Sequence, residues 1–143
     1  MGKKRIVKKG GEGGAAGARG ISARAPKRKL DAGILNIEAT FNNTKVSLAD
    51  LSGNVVSWSS SGSLGFSGAK KGTPFAAAKV GELLGDKATA MGMREVAVVV
   101  AGIGAGRESA IRAFSNKGVH ISSIKDTTPV PHNGPRPKKP RRV

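Results

Sequence analysis

Residues 95–125 read EVAVVVAGIGAGRESAIRAFSNKGVHISSIK, and this stretch decides the fold. Its first seven residues, EVAVVVA, are continuously apolar and largely β-branched. That is the pattern of a strand covered on both faces and paired in parallel. Gly102-Ile103-Gly104-Ala105-Gly106 ends the strand, a helix is expected from about Gly106 to Lys117, and Gly118 closes it. A last strand is expected at 119–125, with Val119, Ile121 and Ile124 as its inward residues. Strand, helix and strand in that order make a right-handed crossover, so the sheet holds a parallel pair.

Toward the N-terminus the periodicity changes. In 34–41, ILNIEATF, the residues Leu35, Ile37, Ala39 and Phe41 share one face and Asn36, Glu38 and Thr40 the other, as in a half-buried strand. Asn42-Asn43 suits a tight hairpin turn, because Asn tolerates positive φ. Residues 44–51 alternate again, Ser52-Gly53-Asn54 turns the chain, and 55–60, VVSWSS, make a third strand. A Gly/Ser loop with two lysines spans 61–73. Thr73-Pro74 then starts a helix, Thr as N-cap and Pro at the first position. That helix should run to about Met91, burying Ala76, Val80, Leu83, Leu84 and Ala88. Gly81 and Gly85, one turn apart, suggest close packing against the sheet. The expected class is α/β, a mixed β-β-β-α-β-α-β sheet with helices packed on it.

The 143 residues carry 25 Lys and Arg against 9 Asp and Glu, a net charge of +16, with no cysteine. A chain so basic suits an extended polyanion. The missing thiols exclude a disulfide framework, a Cys-ligated zinc site and a thiol nucleophile. No apolar run approaches the roughly 18 residues of a membrane span, and no apolar segment succeeds the basic start as in a secretory signal.

The charge is unevenly spread. Residues 1–31 hold ten basic and two acidic residues (+8), 32–131 ten and seven (+3), and 132–143 five and none (+5). Residues 1–31 include the Gly/Ala stretch KKGGEGGAAGARG, which can bury almost nothing against the cost of ordering it. They read as a flexible basic arm, 32–127 as an α/β RNA-binding domain, and 128–143 as a basic tail. In the tail, Pro135, Pro137 and Pro140 fix φ and remove backbone donors, giving a stiff extended cationic strip.

Candidate binding residues come from charge and backbone chemistry. They are Asn42 and Asn43 at the hairpin tip, and Ser67, Lys70, Lys71, Gly72 and Thr73 before the first helix. Arg107 and Arg112 are expected to add charge near the N-terminal end of the second helix. The tail contributes His132, Asn133, Gly134, Arg136, Lys138, Lys139, Arg141 and Arg142. Helix N-termini and glycine-rich turns offer amides to phosphate. With few aromatics, base stacking should be minor. Phe66 reads as a core plug under its loop or a stacking platform, and Trp58 as core or interface. Asn133-Gly134 is open to succinimide formation, since Gly leaves its own backbone amide unhindered.

Enzymatic readings have less support. Gly102–Arg107 lies between strand and helix as a nucleotide loop would, but Arg107 stands where the third glycine of GxGxxG belongs. The element order resembles ribonuclease H, whose chemistry needs clustered carboxylates for metal. Asp50 and Asp126 would have to serve, and the acids show no clustering along the chain. No catalytic residue, metal ligand or cofactor is assigned. A nucleotide-dependent enzyme using Gly102–Arg107, a nuclease and a non-ribosomal RNA chaperone remain as alternatives.

Four stretches in order, ATFNNTKVSLADLSGN at 39–54, SWSSSGSLGFSGAKKGTPFAA at 57–77, GAGRESAIRA at 104–113 and IKDTTPVPHNGPRPKKPRRV at 124–143, resemble bacterial-type small-ribosomal-subunit protein number eleven. The resemblance covers about residues 33–143. It implies a ribonuclease H-like fold without nuclease activity, in a cytoplasmic ribosome. It further implies small-subunit 16S-type rRNA as ligand and a place on the platform, bridging rRNA helices. It also implies part of the cleft that accepts the Shine–Dalgarno duplex of mRNA, and small-subunit proteins seven and eighteen as neighbours. The family tail reads HNGCRPPK; here Pro135 replaces the Cys and Lys138 the second Pro, which leaves the tail basic and proline-stiffened.

Overall fold

A computed structural model of the protein describes residues 29–142. Residues 1–28, most of the expected arm, lie outside the described residues. The last residues assigned to that arm are tied to the domain: the Leu30 N–H donates to the Met91 carbonyl (3.2 Å), and the Asp31 carbonyl accepts from the Arg94 N–H (2.9 Å).

Five strands form one sheet: β1 Ala32–Ala39, β2 Thr44–Ala49, β3 Val55–Ser60, β4 Glu95–Ala101 and β5 His120–Asp126. Their order across the sheet is β3-β2-β1-β4-β5. The first three strands pair antiparallel, and β1–β4 and β4–β5 pair parallel. The helices are α1, Pro74–Ala90, and α2, Gly106–Ser115. This is the expected α/β class and element order. Phe41 departs from its expected inward face, because β1 ends at Ala39 and Phe41 falls in the turn, 74% exposed.

Both helices cover one face. Gly33↔Val96, Leu35↔Val98 and Ile37↔Val100 pair across β1 and β4, and these residues are buried. They join Val46, Leu48, Val80, Leu84, Ala110 and Phe114 in one core. Phe114 of α2 is the largest fully buried side chain. The alternate residues Ile34, Asn36, Ala97 and Val99 are only half-buried, so β4 is covered on one face and not two. A run of valines satisfies either arrangement, since β-branching favours the strand whatever lies on its second side. Trp58 lies on this open face opposite Ser47 and is 58% exposed, so it is not core. Ile121 is half-buried, while Ile124 is exposed because β5 is an edge strand beyond the helices.

Thr73 caps α1: its Oγ1 accepts the Ala76 N–H (3.4 Å) ahead of Pro74. Ala76, Val80, Leu84 and Ala88 are buried as their spacing predicts, and Leu83 is half-buried. Gly81 and Gly85 serve a different contact from the one expected. A Cβ at Gly81 would meet the Ala110 carbonyl, and one at Gly85 would meet Lys117 and Phe114. The two glycines let α1 approach α2, not the sheet. On its outer side Lys117 pairs with Asp86 of α1 (2.9 Å), a hydrogen bond that raises the pKa of the ammonium.

Candidate nucleic-acid interface

β1 and β4 finish at the same end of the sheet, and α1 and α2 begin there. The β1–β2 hairpin tip stands between the two loops that lead into the helices. Thr40 and Asn43 close the tip: the Thr40 N–H donates to the Asn43 carbonyl (2.9 Å) and the Asn43 N–H to Thr40 Oγ1 (3.1 Å). Asn42 is exposed, and Asn43 Oδ1 is buried without a protein partner.

Each flanking loop approaches the hairpin through glycine. A Cβ at Gly72 would collide with the Phe41 carbonyl, one at Gly104 with that of Thr40, and one at Gly102 with that of Ala39. The Gly104 N–H donates to the Ala39 carbonyl (2.9 Å). Gly102 also has φ +95, a region where side chains are strained. These contacts decide against the nucleotide reading of Gly102–Arg107. The space in front of the glycines, where a pyrophosphate would approach, is filled by hairpin backbone.

The loop on the α1 side carries the cations. Gly68–Gly72 forms a 3-10 turn with Ser67 as its exposed cap residue. Thr73 fastens the end of that turn, its Oγ1 donating to the Lys70 carbonyl (2.7 Å). Lys70 is exposed and Lys71 half-buried, and neither pairs with a carboxylate among the described residues. The first turn of α1 holds no acid, so its partial positive charge is uncompensated. α2 differs, because Glu108 lies in its first turn. Phe66 is half-buried, edge-on to Phe75 at 6.0 Å, and so is neither fully core nor a free platform.

The two arginines are placed otherwise than their sequence positions suggest. Arg112 lies in the last turn of α2 and pairs with Glu108, away from the N-terminal end. The Arg107 guanidinium is bonded to the Gly102 carbonyl, the Asp126 carboxylate and the Thr128 hydroxyl. Asp126 and Thr128 carry no sequence signal for this role, because only the parallel pairing of β4 with β5 brings them to α2.

Hydrogen bonds from the Thr128 hydroxyl, then from Arg107 and the Thr128 amide, hold the Asp126 carboxyl well below its ordinary value. A depressed carboxylate stabilises the fold above its unfolded-state value and loses that contribution as pH falls through the folded one. Stability is therefore expected to decline with acid below about pH 4, with a smaller decline in Asp126→Asn. Urea titrations at several pH values check this.

The tail leaves from the same end. The Thr127 N–H donates to the Val100 carbonyl (2.8 Å), one step past β5. His132–Arg142 are exposed and outside any helix or strand. This segment holds His132, Asn133, Gly134, Arg136, Lys138, Lys139, Arg141 and Arg142; Asn133 adopts φ 54. The structure thus gathers the hairpin tip, the Ser67–Thr73 loop and the root of the tail at one end.

Asp50 is at the opposite end, after β2, where bonds to the Asn54 side chain and amide lower its pKa. It cannot join Asp126 in a two-carboxylate site. Among the described residues no three or more His, Asp or Glu are grouped to hold a metal ion, and no helix is long and apolar enough to cross a membrane.

Residues 33–142 match the family described as ribosomal protein S11. The small ribosomal subunit protein uS11 of Solibacter usitatus is 52% identical over 128 residues, 90% of this chain and 95% of its own. Those of Gloeobacter violaceus and Synechococcus elongatus are 53% and 54% identical, over 87% and 84% of this chain and 96% and 92% of their own. A match over 90% of the chain exceeds what residues 33–143 can supply, so the likeness to the Solibacter protein reaches into the N-terminal stretch. The chain belongs to the ribosomal protein S11 family, whose members are structural proteins of the small ribosomal subunit and not enzymes.

Proposed function

We propose that the chain is a structural constituent of the small ribosomal subunit in the cytoplasm. It binds 16S-type rRNA through the loop end of its sheet and its basic tail. The observation that carries this reading is the convergence of Asn42, Asn43, Lys70, Lys71 and the N-terminus of α1, beside the root of a tail bearing Arg136, Lys138, Lys139, Arg141 and Arg142. Phosphate neutralisation supplies affinity, and the rigid arrangement of loops supplies shape selection. The finer placement rests on family resemblance. It puts the protein on the platform, bridging rRNA helices beside the Shine–Dalgarno cleft and its mRNA, with small-subunit proteins seven and eighteen as neighbours. In this proposal the basic stretch ahead of Leu30 acts as the arm, with Leu30 and Asp31 anchored to the domain.

Because the chain lacks cysteine, a single thiol can be introduced as a tether. Asn42→Cys and Ser67→Cys carrying a chelated iron are expected to cleave overlapping platform segments of rRNA in sedimented small subunits. Arg112→Cys should cut elsewhere. A tagged protein that never sediments with small subunits would instead favour a free RNA chaperone.

A further inference from the structure

The geometry points to Arg107 as a positioning residue for the C-terminal tail, acting through Asp126, Thr128 and Gly102 and not through contact with RNA. This rests on the reading of the tail as an RNA-binding strip. Arginine carries a planar fork of donors that a single partner cannot exhaust. Here Nη1 donates to the Gly102 carbonyl and to Thr128 Oγ1 (3.2 Å), and Nη2 donates to Asp126 Oδ2. Asp126 accepts in turn from the Thr128 amide (2.9 Å) and hydroxyl (2.6 Å) through Oδ1. One side chain therefore joins the first turn of α2, the turn after β4 and the exit of β5. It is less open to solvent than Arg112, at 32% against 76%.

The residues beyond the clamp give it a use. Thr128 is succeeded by Pro129 and Pro131, whose fixed φ carries the direction set at Thr128 forward to His132. A change of direction at the root would swing every tail cation. Fixing the root lowers the ordering cost when the strip docks. Arg107 would thus act on affinity without itself neutralising a phosphate.

The test uses the full chain, a small-subunit rRNA fragment, and the variants Arg107→Gln, Arg107→Lys and Asp126→Asn. In free protein, amide hydrogen exchange at Thr127 and Thr128 is expected to quicken about threefold to tenfold in all three. Affinity should fall about threefold to tenfold at one salt concentration, with the slope of log affinity against log salt unchanged. Lysine should not rescue, since it keeps the charge and loses the fork. A phosphate contact gives the reverse pattern, and that pattern overturns the proposal. The slope would drop by about 0.7–0.9 in Arg107→Gln and recover in Arg107→Lys, with exchange as in the parent. Should Arg107→Gln fail to fold, Asp126→Asn decides the question from the other partner. If the parent itself binds rRNA without salt dependence, the reading of the tail fails, and the exchange rates alone uphold or overturn the clamp.

Discussion

A chain ending at Pro131 is expected to lose most of its salt-dependent hold on small-subunit rRNA. The truncation removes Arg136, Lys138, Lys139, Arg141 and Arg142 together with His132. Each phosphate contact contributes about 0.7–0.9 to the slope of log affinity against log salt. Five lost contacts would flatten that slope by about 3.5–4.5. The domain should keep its fold, because His132–Arg142 are exposed and outside any helix or strand. Its melting temperature should match the full chain, which separates a binding defect from unfolding. Filter binding of the same rRNA fragment at several salt concentrations reads the slope. An unchanged slope would mean that the tail touches no phosphate and that the loop end of the sheet supplies the affinity alone.

The second large effect is on stability. Gly102→Ala is expected to cost roughly 2–6 kcal/mol, the strain of positive φ and the overpacking added together. The new Cβ would face the Ala39 carbonyl from a backbone at φ +95, and neither backbone segment can yield without disturbing β1 or α2. Against a typical domain stability of about 5–15 kcal/mol, this is a large fraction. Two comparisons divide the effect into its parts. Gly118→Ala meets the same kind of positive φ with nothing within 4 Å, and should show the conformational cost alone. Gly72→Ala meets the Phe41 carbonyl without positive φ, and should show the steric cost alone. Urea denaturation of the three variants gives the three values. If Gly102→Ala cost no more than Gly118→Ala, the hairpin would not be wedged between the two loops.

Much of the fold was legible in local pattern. Alternation in 34–39, the Thr73-Pro74 helix start and the apolar run at 95–101 each report a short-range constraint, and each element stands where its pattern places it. Local pattern does not decide where it is the same for two environments. A valine run does not say how many of its faces are covered. A glycine pair one turn apart does not say which neighbour approaches. Phe41 continues the alternation in letters, yet the chain has already turned at Thr40. The candidate interface divides in the same way. The cations of the tail and of Lys70-Lys71 are visible as charge in a segment unable to form core. Arg107 shows the same charge but spends its donors on Asp126, Thr128 and Gly102, partners up to 21 residues distant.

The sequence by itself determined the element order, the two helix starts, the concentration of positive charge in the ends and the absence of thiol chemistry. Each comes from local backbone preference, side-chain periodicity or composition, which act over a few residues. Only the tertiary structure decided that the hairpin tip and both glycine-rich loops share one end, that the hairpin fills the would-be nucleotide space, and that Asp50 and Asp126 are kept apart. Strand order is the reason. Placing β1 at the centre, parallel to β4 and antiparallel to β2, brings the ends of distant segments together, and no local pattern carries that information.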